Sequence, residues 1–240
     1  MNKDKIIVCG DIHGKFREFV YKMTQIYKIE NAIICCVGDI GMGFHKPNYY
    51  KTEFTRMSKA LKKNNNMCFF VRGNHDDPEY FNGKHKDSLN IFENIKLVSD
   101  YELINTELGN ILFIGGGTSI DRTKRIVNET YWENEKCIFD EEKINSFKDI
   151  TNIDYVITHT APSFCYPQTK DGIKYWILKD SKLDEDLNEE RQTMDKIFKL
   201  LEENNVIKYW AYGHFHCFLK QRYHGVNFVV CDELNFYMLE

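Results

Sequence analysis

Proline is scarce in this chain, at 4 of 240 residues, and no stretch is biased to a few residue types, which excludes long disordered or low-complexity segments. No apolar run approaches the length needed to cross a bilayer, so a membrane partner is not expected. The N-terminus, Met-Asn-Lys-Asp-Lys, runs straight into a strand, without the apolar core and small-residue cleavage site of a secretory signal. Positive charge is not in excess. A net charge of -4 and a pI near 6.1 count against a general nucleic-acid coat but leave room for a phosphorylated small substrate. Eight cysteines are present without any Cys-x-x-Cys pair, and Cys9, Cys35, Cys36, Cys68 and Cys231 sit in apolar runs. They read as small core residues in a reducing compartment, which implies a cytoplasmic protein. With no internal repeat and no linker, residues 1–240 are expected to form one domain.

What is there is an alternation of strand and helix. Lys5 to Cys9, Ala32 to Val37 and Met67 to Val71 are short apolar runs of the kind buried strands require. Between them, Phe16, Phe19, Val20, Met23, Ile26 and Tyr27 recur at helical spacing, as do Tyr50, Phe54, Met57 and Leu61 after Pro47. That order implies parallel pairing with helices outside. Further on, 95 to 104 and 110 to 114 read as strands joined at Gly109-Asn110, 139 to 148 as a short helix, and Tyr155 to Thr158 as a buried strand. Residues 160 to 185 hold Pro162 and Pro167 and show no period, so a long loop of the kind that can serve as a lid is expected. Leu187, Met194, Ile197, Phe198 and Leu201 mark a long amphipathic helix, with Glu189-Glu190 and Glu202-Glu203 on its wet side. Tyr209 to Tyr212 is a strand, and Cys217 to Leu239 alternates like an antiparallel meander.

Five apolar runs end alike, at or near glycine, followed by residues able to bind metal. The segments are Gly10-Asp11-Ile12-His13, Gly38-Asp39, Gly73-Asn74-His75-Asp76, Thr158-His159 and Gly213-His214-Phe215-His216. Loops at the carboxyl ends of parallel strands converge on one crevice, which would gather these side chains into a single site. Asp11/His13 and His214/His216 are two apart, so both members of each pair point the same way in an extended segment. Mixed imidazole and carboxylate donors suit Mn, Fe, Zn or Ni ions. Five of the eight histidines fall in these segments. Loop-capping explains one such segment; it does not explain all five in this order.

The ordered set, spanning residues 11 to 216, resembles the calcineurin-like metallophosphoesterase superfamily, whose signature is Asp-x-His, Gly-Asp, Gly-Asn-His-Asp/Glu, a later His and Gly-His-x-His. The resemblance implies a four-layer αββα sandwich of two mixed sheets flanked by helices. It also implies two metal ions: Asp11, His13 and His216 on one, Asn74, His159 and His214 on the other, and Asp39 bridging. A hydroxide between the ions would attack phosphorus in line, with His75 beside the metals as proton donor and Asp76 orienting its ring. The run Gly38-Asp39-Ile40-Gly41-Met42-Gly43 lacks the Asp-Arg-Gly extension of the protein serine/threonine phosphatases, which counts against that branch. A nuclease-like activity is disfavoured by the acidic balance. A non-catalytic scaffold is disfavoured because no ligand position is lost.

The segment Gly115-Gly116-Gly117-Thr118-Ser119-Ile120-Asp121-Arg122, with Arg125 and Tyr131-Trp132-Glu133, looks like one found in bacterial and phage members. Arg122 or Arg125 would grip substrate phosphate; the alternative is a structural Asp121–Arg122 pair. Arg72 reads as a structural or surface residue. Tyr166, Tyr175 and Trp176 are candidates for stacking on an aromatic leaving group, although packing under the loop is the simpler reading. His85 and His224 read as solvated, and His45 as solvated or near the cleft.

Overall fold

A computed structural model describes residues 3–83, 85, 89, 91–148 and 152–240. Strands β1 (Lys5–Cys9), β2 (Ala32–Cys36), β3 (Met67–Phe70) and β4 (Ile95–Leu97) pair side by side in parallel. The second sheet contains β5 (Glu102–Thr106), β6 (Gly109–Ile114), β7 (Tyr155–Thr158), β8 (Tyr209–Tyr212), β9 (Leu219–Tyr223) and β10 (Val226–Val230), in the order β5-β6-β7-β8-β10-β9. Its centre, β6-β7-β8-β10, is parallel and both edges are antiparallel.

Alternation along each strand decides the layers. In β1, Ile6 and Val8 face the other sheet and join Val37, Phe69, Phe113, Ile157 and Val229 in the inter-sheet core. Ile7 and Cys9 face out and pack under α1 (Phe16–Tyr21), its π-turn continuation Lys22–Ile26, and α2 (Pro47–Lys63). The second sheet turns Leu112, Val156, Trp210 and Phe228 outward onto α3 (Glu141–Asn145) and the long helix over Leu183–Glu202. The result is helix, sheet, sheet, helix, the layering that the resemblance implies. Phe69 and Phe113 meet across the two sheets with ring centroids 5.7 Å apart. Truncating a buried ring of that kind costs about 3–5 kcal/mol.

Three features differ from the sequence reading. The expected strand 95–104 is two strands, β4 and β5, which belong to different sheets; a turn at Asp100-Tyr101 carries the chain across. The C-terminal meander is only a hairpin, β9-β10, because β11 (Phe236–Leu239) crosses to pair antiparallel with β1. Residues 160–185 are not a bare loop but contain α4 (Lys170–Ile177), whose Ile173 packs with Leu183 and Leu187 of the following helix, α5 (Leu183–Glu202). A helix of only two turns, coming just after two prolines, carries little periodic signal. No helix among the described residues is long and apolar enough to cross a membrane.

Candidate metal centre and cleft

The chain leaves β1, β2, β3, β7 and β8 at their carboxyl ends with Asp11/His13, Asp39, Asn74/His75, His159 and His214/His216 respectively, all on one rim of the sandwich. Asp39 Oδ1 lies 3.3 Å from His159 Nε2, and its Oδ2 lies 3.9 Å from His13 Nε2. On one side, His216 Nε2 is 3.3 Å from Asp11 Oδ2 and 3.2 Å from His13 Nε2. On the other, His159 Nε2 is 2.9 Å from Asn74 Oδ1, and the His159 and His214 rings are 4.9 Å apart. Asp11, His13 and His216 form one group of potential ligands; Asp11, Asp39 and His159 form another, and His13, Asp39 and His75 a third.

The backbone holds these positions at some cost. His13, Asp39, His214 and His216 all have positive φ, between 45° and 69°, a region that residues with a Cβ adopt rarely. Two glycines admit the carboxylates. A Cβ on Gly73 would lie 2.1 Å from Asp39 Oδ1, and one on Gly213 would lie 2.1 Å from Asp11 Oδ1.

The donors fit a pair of cations. Metal-bound imidazole usually donates its other N–H to a protein acceptor. His159 Nδ1 donates to Val37 O at 2.8 Å, leaving Nε2 to face Asp39, and His216 Nδ1 lies 3.3 Å from the Glu233 carboxylate. Burial disfavours a charged His159, yet the Asp39 carboxylate overcomes that and raises its pKa to about 10. Asp39 is held well below the usual carboxylate range: burial opposes this, and His159 and His75 prevail. His214 is pushed well below the usual histidine value by burial and by neighbouring His159, which keeps a lone pair free. A buried pair of aspartates, Asp11 and Asp39, facing imidazole nitrogens is the donor chemistry of a cation site.

The carboxyl group of Asp76, expected to orient His75, instead accepts from four backbone N–H groups, those of Ile40, Gly41, Met42 and Gly73. It therefore ties the Asp39 loop to the Asn74 loop. His75 is met by Arg125, whose Nη1 and Nη2 each lie 2.8 Å from a ring nitrogen. Arg125 is itself clasped by Asp121 through Nε and Nη2, at 2.6 and 2.9 Å. Arg122 points elsewhere, to Asp180 and Asp186 at 2.5 Å each, and pins the Gly-rich loop to the start of α5. Asp121 thus pairs with Arg125 rather than Arg122. Arg72 is buried and structural, bonded to Asp100, Glu135 O and Lys136 O.

Some residues near the centre carry no sequence signal of their own. Asn74 Nδ2 donates to Ser119 Oγ at 2.9 Å, and Ser119 Oγ donates to Glu135 at 2.6 Å. Glu135 is buried, and that burial pushes its pKa to about 8. Glu190, expected on the wet side of α5, is also buried and accepts from Thr160 Oγ1 at 2.6 Å. A serine, a threonine and two glutamates are too common to stand out without their partners.

Two openings flank His75. One, of about 310 Å³, is bounded by Asp39, Asn74, Arg125, Trp176, His214 and His216, with Ile120, Gln168 and Phe215 also on its wall. The second, of about 480 Å³, lies among His13, Gly14, Gly41, Phe44, His45 and His75. Tyr166 packs against Phe215 and Arg191, and Tyr175 is exposed. His224 pairs with Glu202, and His85 packs on Tyr80.

The calcineurin-like phosphoesterase family model matches residues 4–218. The chain belongs to this family. As a member it is a metal-dependent phosphoester hydrolase whose cofactors are two metal ions. Solved structures with the same fold include a dimetal phosphatase from Danio rerio, 9% identical, with a TM-score of 0.57 over 98% of this chain and 88% of that one. Another is the phosphopantetheinyl hydrolase of Mycobacterium tuberculosis, 12% identical, with a TM-score of 0.50 over 95% and 89%. At such identities they speak for the fold alone. No curated protein matches the calcineurin-like chain.

Proposed function

We propose that the cleft hydrolyses a phosphoester of a phosphorylated small molecule, by in-line attack of a hydroxide held between the two metal ions. One observation carries the reading: a single carboxylate, Asp39, faces donors on both sides, His159 Nε2 at 3.3 Å and His13 Nε2 at 3.9 Å. In this assignment Asp11, His13 and His216 hold one ion, Asn74, His159 and His214 the other, and Asp39 both. The mixture of donors suits Mn, Fe, Zn or Ni. When bound, the ions supply hydroxide near neutral pH and offset charge on the phosphoryl oxygens.

The chain's own groups do the rest. Arg125, held by Asp121 at the mouth of the cleft, binds a phosphoryl oxygen with its guanidinium. His75 passes a proton from its ring to the departing oxygen. Asp76 keeps the Asp39 and Asn74 loops in register through its four amide bonds. The same reading treats residues 1–240 as one metallophosphoesterase domain of the bacterial and phage type, supported by the Gly115 to Glu133 segment. Eight unpaired cysteines support a reducing, cytoplasmic setting.

The test is a metal analysis and a p-nitrophenyl ester assay on two variants. Asp39→Ala is expected to lose bound metal and all turnover while keeping its far-UV circular dichroism. His75→Ala is expected to keep the metal and lose about 10²–10⁴-fold in kcat. Full activity in both variants would overturn the assignment.

A further inference from the structure

Building on the proposed hydrolase reading, we infer that the 310 Å³ cleft takes phosphoesters of a planar aromatic or heteroaromatic group the size of a single nucleoside, with Trp176 as its stacking wall. The argument begins from what lines the opening. Its polar floor is the candidate metal centre together with His75 and Arg125, and its outer wall is Trp176 beside Ile120 and Phe215. An indole packed beside an aliphatic side chain, with a phenyl ring elsewhere in the lining, offers little to a glycerol or sugar hydroxyl. It matches the π-face and apolar body of a planar ring.

Three further observations bear on the site. Gln168 stands on the same wall, and its amide is both donor and acceptor, as the edge of a heteroaromatic base requires. The Lys124 ammonium lies 4.6 Å from the Trp176 ring centre without lining the cleft itself, and so helps to fix the indole in place. The volume is at the lower end of the ligand-site range, which fits one ring and its linker rather than a polymer. Trp176 is also anchored, since it packs with Ile120 and Ile177 on the small core of Ile173, Leu183 and Leu187. An anchored ring loses little conformational freedom on binding, which makes it a better platform than exposed Tyr175 one residue earlier.

The second opening, around Phe44 and His45, is the competing seat for the leaving group, because His75 borders both. It carries no arginine and no amide side chain among its lining residues, and Phe44 is itself exposed and edge-on to Trp132.

The experiment compares wild type, Trp176→Ala, Trp176→Phe, Tyr175→Ala and Phe44→Ala, each loaded with manganese and checked by circular dichroism. The probes are AMP, p-nitrophenyl phosphate, bis(p-nitrophenyl) phosphate and glycerol 3-phosphate. For Trp176→Ala, kcat/KM on the ring-bearing probes is expected to fall roughly five- to a hundred-fold, the range for one lost aromatic stack. Turnover of glycerol 3-phosphate should hold. Trp176→Phe should recover most of the loss, and Tyr175→Ala should match wild type. Equal losses on ringed and ringless probes would overturn the inference, as would a ring-selective loss in Phe44→Ala instead. Calorimetric titration of AMP against inorganic phosphate separates the two claims. If no probe turns over, the hydrolase reading fails, while a ring-dependent AMP affinity that Trp176→Ala abolishes still supports the stacking wall. AMP binding unchanged in that variant sinks it.

Discussion

Arg125 and His75 face each other nitrogen to nitrogen, with Nη1 2.8 Å from Nδ1 and Nη2 2.8 Å from Nε2. A guanidinium can only donate, so this arrangement favours an imidazole with a free lone pair. Burial lowers the His75 pKa, Asp39 works against that, and Arg125 adds to the lowering. For His75 to carry a proton to the leaving group, Arg125 has to turn to a different acceptor. In the proposed reading the substrate phosphoryl group is that acceptor. Binding would therefore free the acid and occupy the arginine in one step.

Arg125→Ala is accordingly expected to lower kcat/KM on the order of 10²-fold, the scale for removing one charged transition-state contact. Arg125→Lys keeps the charge but not the fork and should recover only part. Inorganic phosphate should inhibit both variants more weakly than wild type. Steady-state kinetics with phosphate as inhibitor decides; a wild-type inhibition constant in Arg125→Ala would remove Arg125 from the substrate.

Gly73 and Gly213 are expected to tolerate no side chain. The Cβ of Gly73→Ala would press on Asp39 Oδ1 at 2.1 Å and on the Asp39 backbone nitrogen at 2.4 Å, and the backbone cannot give way as a flexible side chain can. Overpacking of this severity costs about 1–3 kcal/mol or more. Either alanine variant should show a lower urea midpoint together with reduced manganese binding. Gly172→Ala, inside α4 where a Cβ meets nothing within 4 Å, is the control and should keep wild-type manganese binding with a urea midpoint no lower than wild type.

Legibility in the sequence followed how local each device is. Asp11, Asp39 and His159 stood out because each sits at the end of an apolar run, where one strand dictates its position. The parallel strands β1 to β3 were readable for the same reason. Arg122 and Arg125 were not separable, being three apart in one loop; the partners that sort them, Asp180 and Asp186 against Asp121, lie partly on another element. The register of β11 against β1 depends on a strand more than two hundred residues away, so alternation alone suggested a meander. Glu190 sits between Glu189 and Arg191 in a charged stretch of helix, and only Thr160 from a distant loop reveals why it is buried.

The Asn74–Ser119–Glu135 chain fixes which end of the Asn74 amide faces His159. With Nδ2 donating to Ser119, Oδ1 is left for the metal centre. Ser119→Ala should weaken metal affinity by about 10- to 100-fold, as loss of an outer partner does at comparable sites, without unfolding the chain. Asn74→Asp supplies a charged oxygen that needs no such orientation, so adding Ser119→Ala to it should cost less than it does in the wild type. Manganese titrations of the four proteins form a double-mutant cycle. Strict additivity would mean that Ser119 does not act through Asn74.

Arg122 gives the fold a predictable response to acid. Asp180 is held below the usual carboxylate value chiefly by its hydrogen bond from Arg122; for Asp186, burial opposes the lowering and bonds from Lys136 and Arg122 outweigh it. Both carboxyls therefore have folded pKa values below their unfolded ones, near about 3.9. Between the two values the unfolded chain binds more protons, so stability rises with pH across that window. The contribution is complete above the unfolded value and is lost as pH falls through the folded one. Arg122→Met should lower the urea midpoint at pH 7. The gap to wild type should narrow below about pH 4, where wild type gives up the same contribution. Lys136 still holds Asp186 in the variant, so some acid dependence remains. Urea melts from pH 7 to pH 3 measure this directly. Curves that stay parallel throughout would mean that the Arg122 clasp adds nothing to the stability of the loop's attachment to α5.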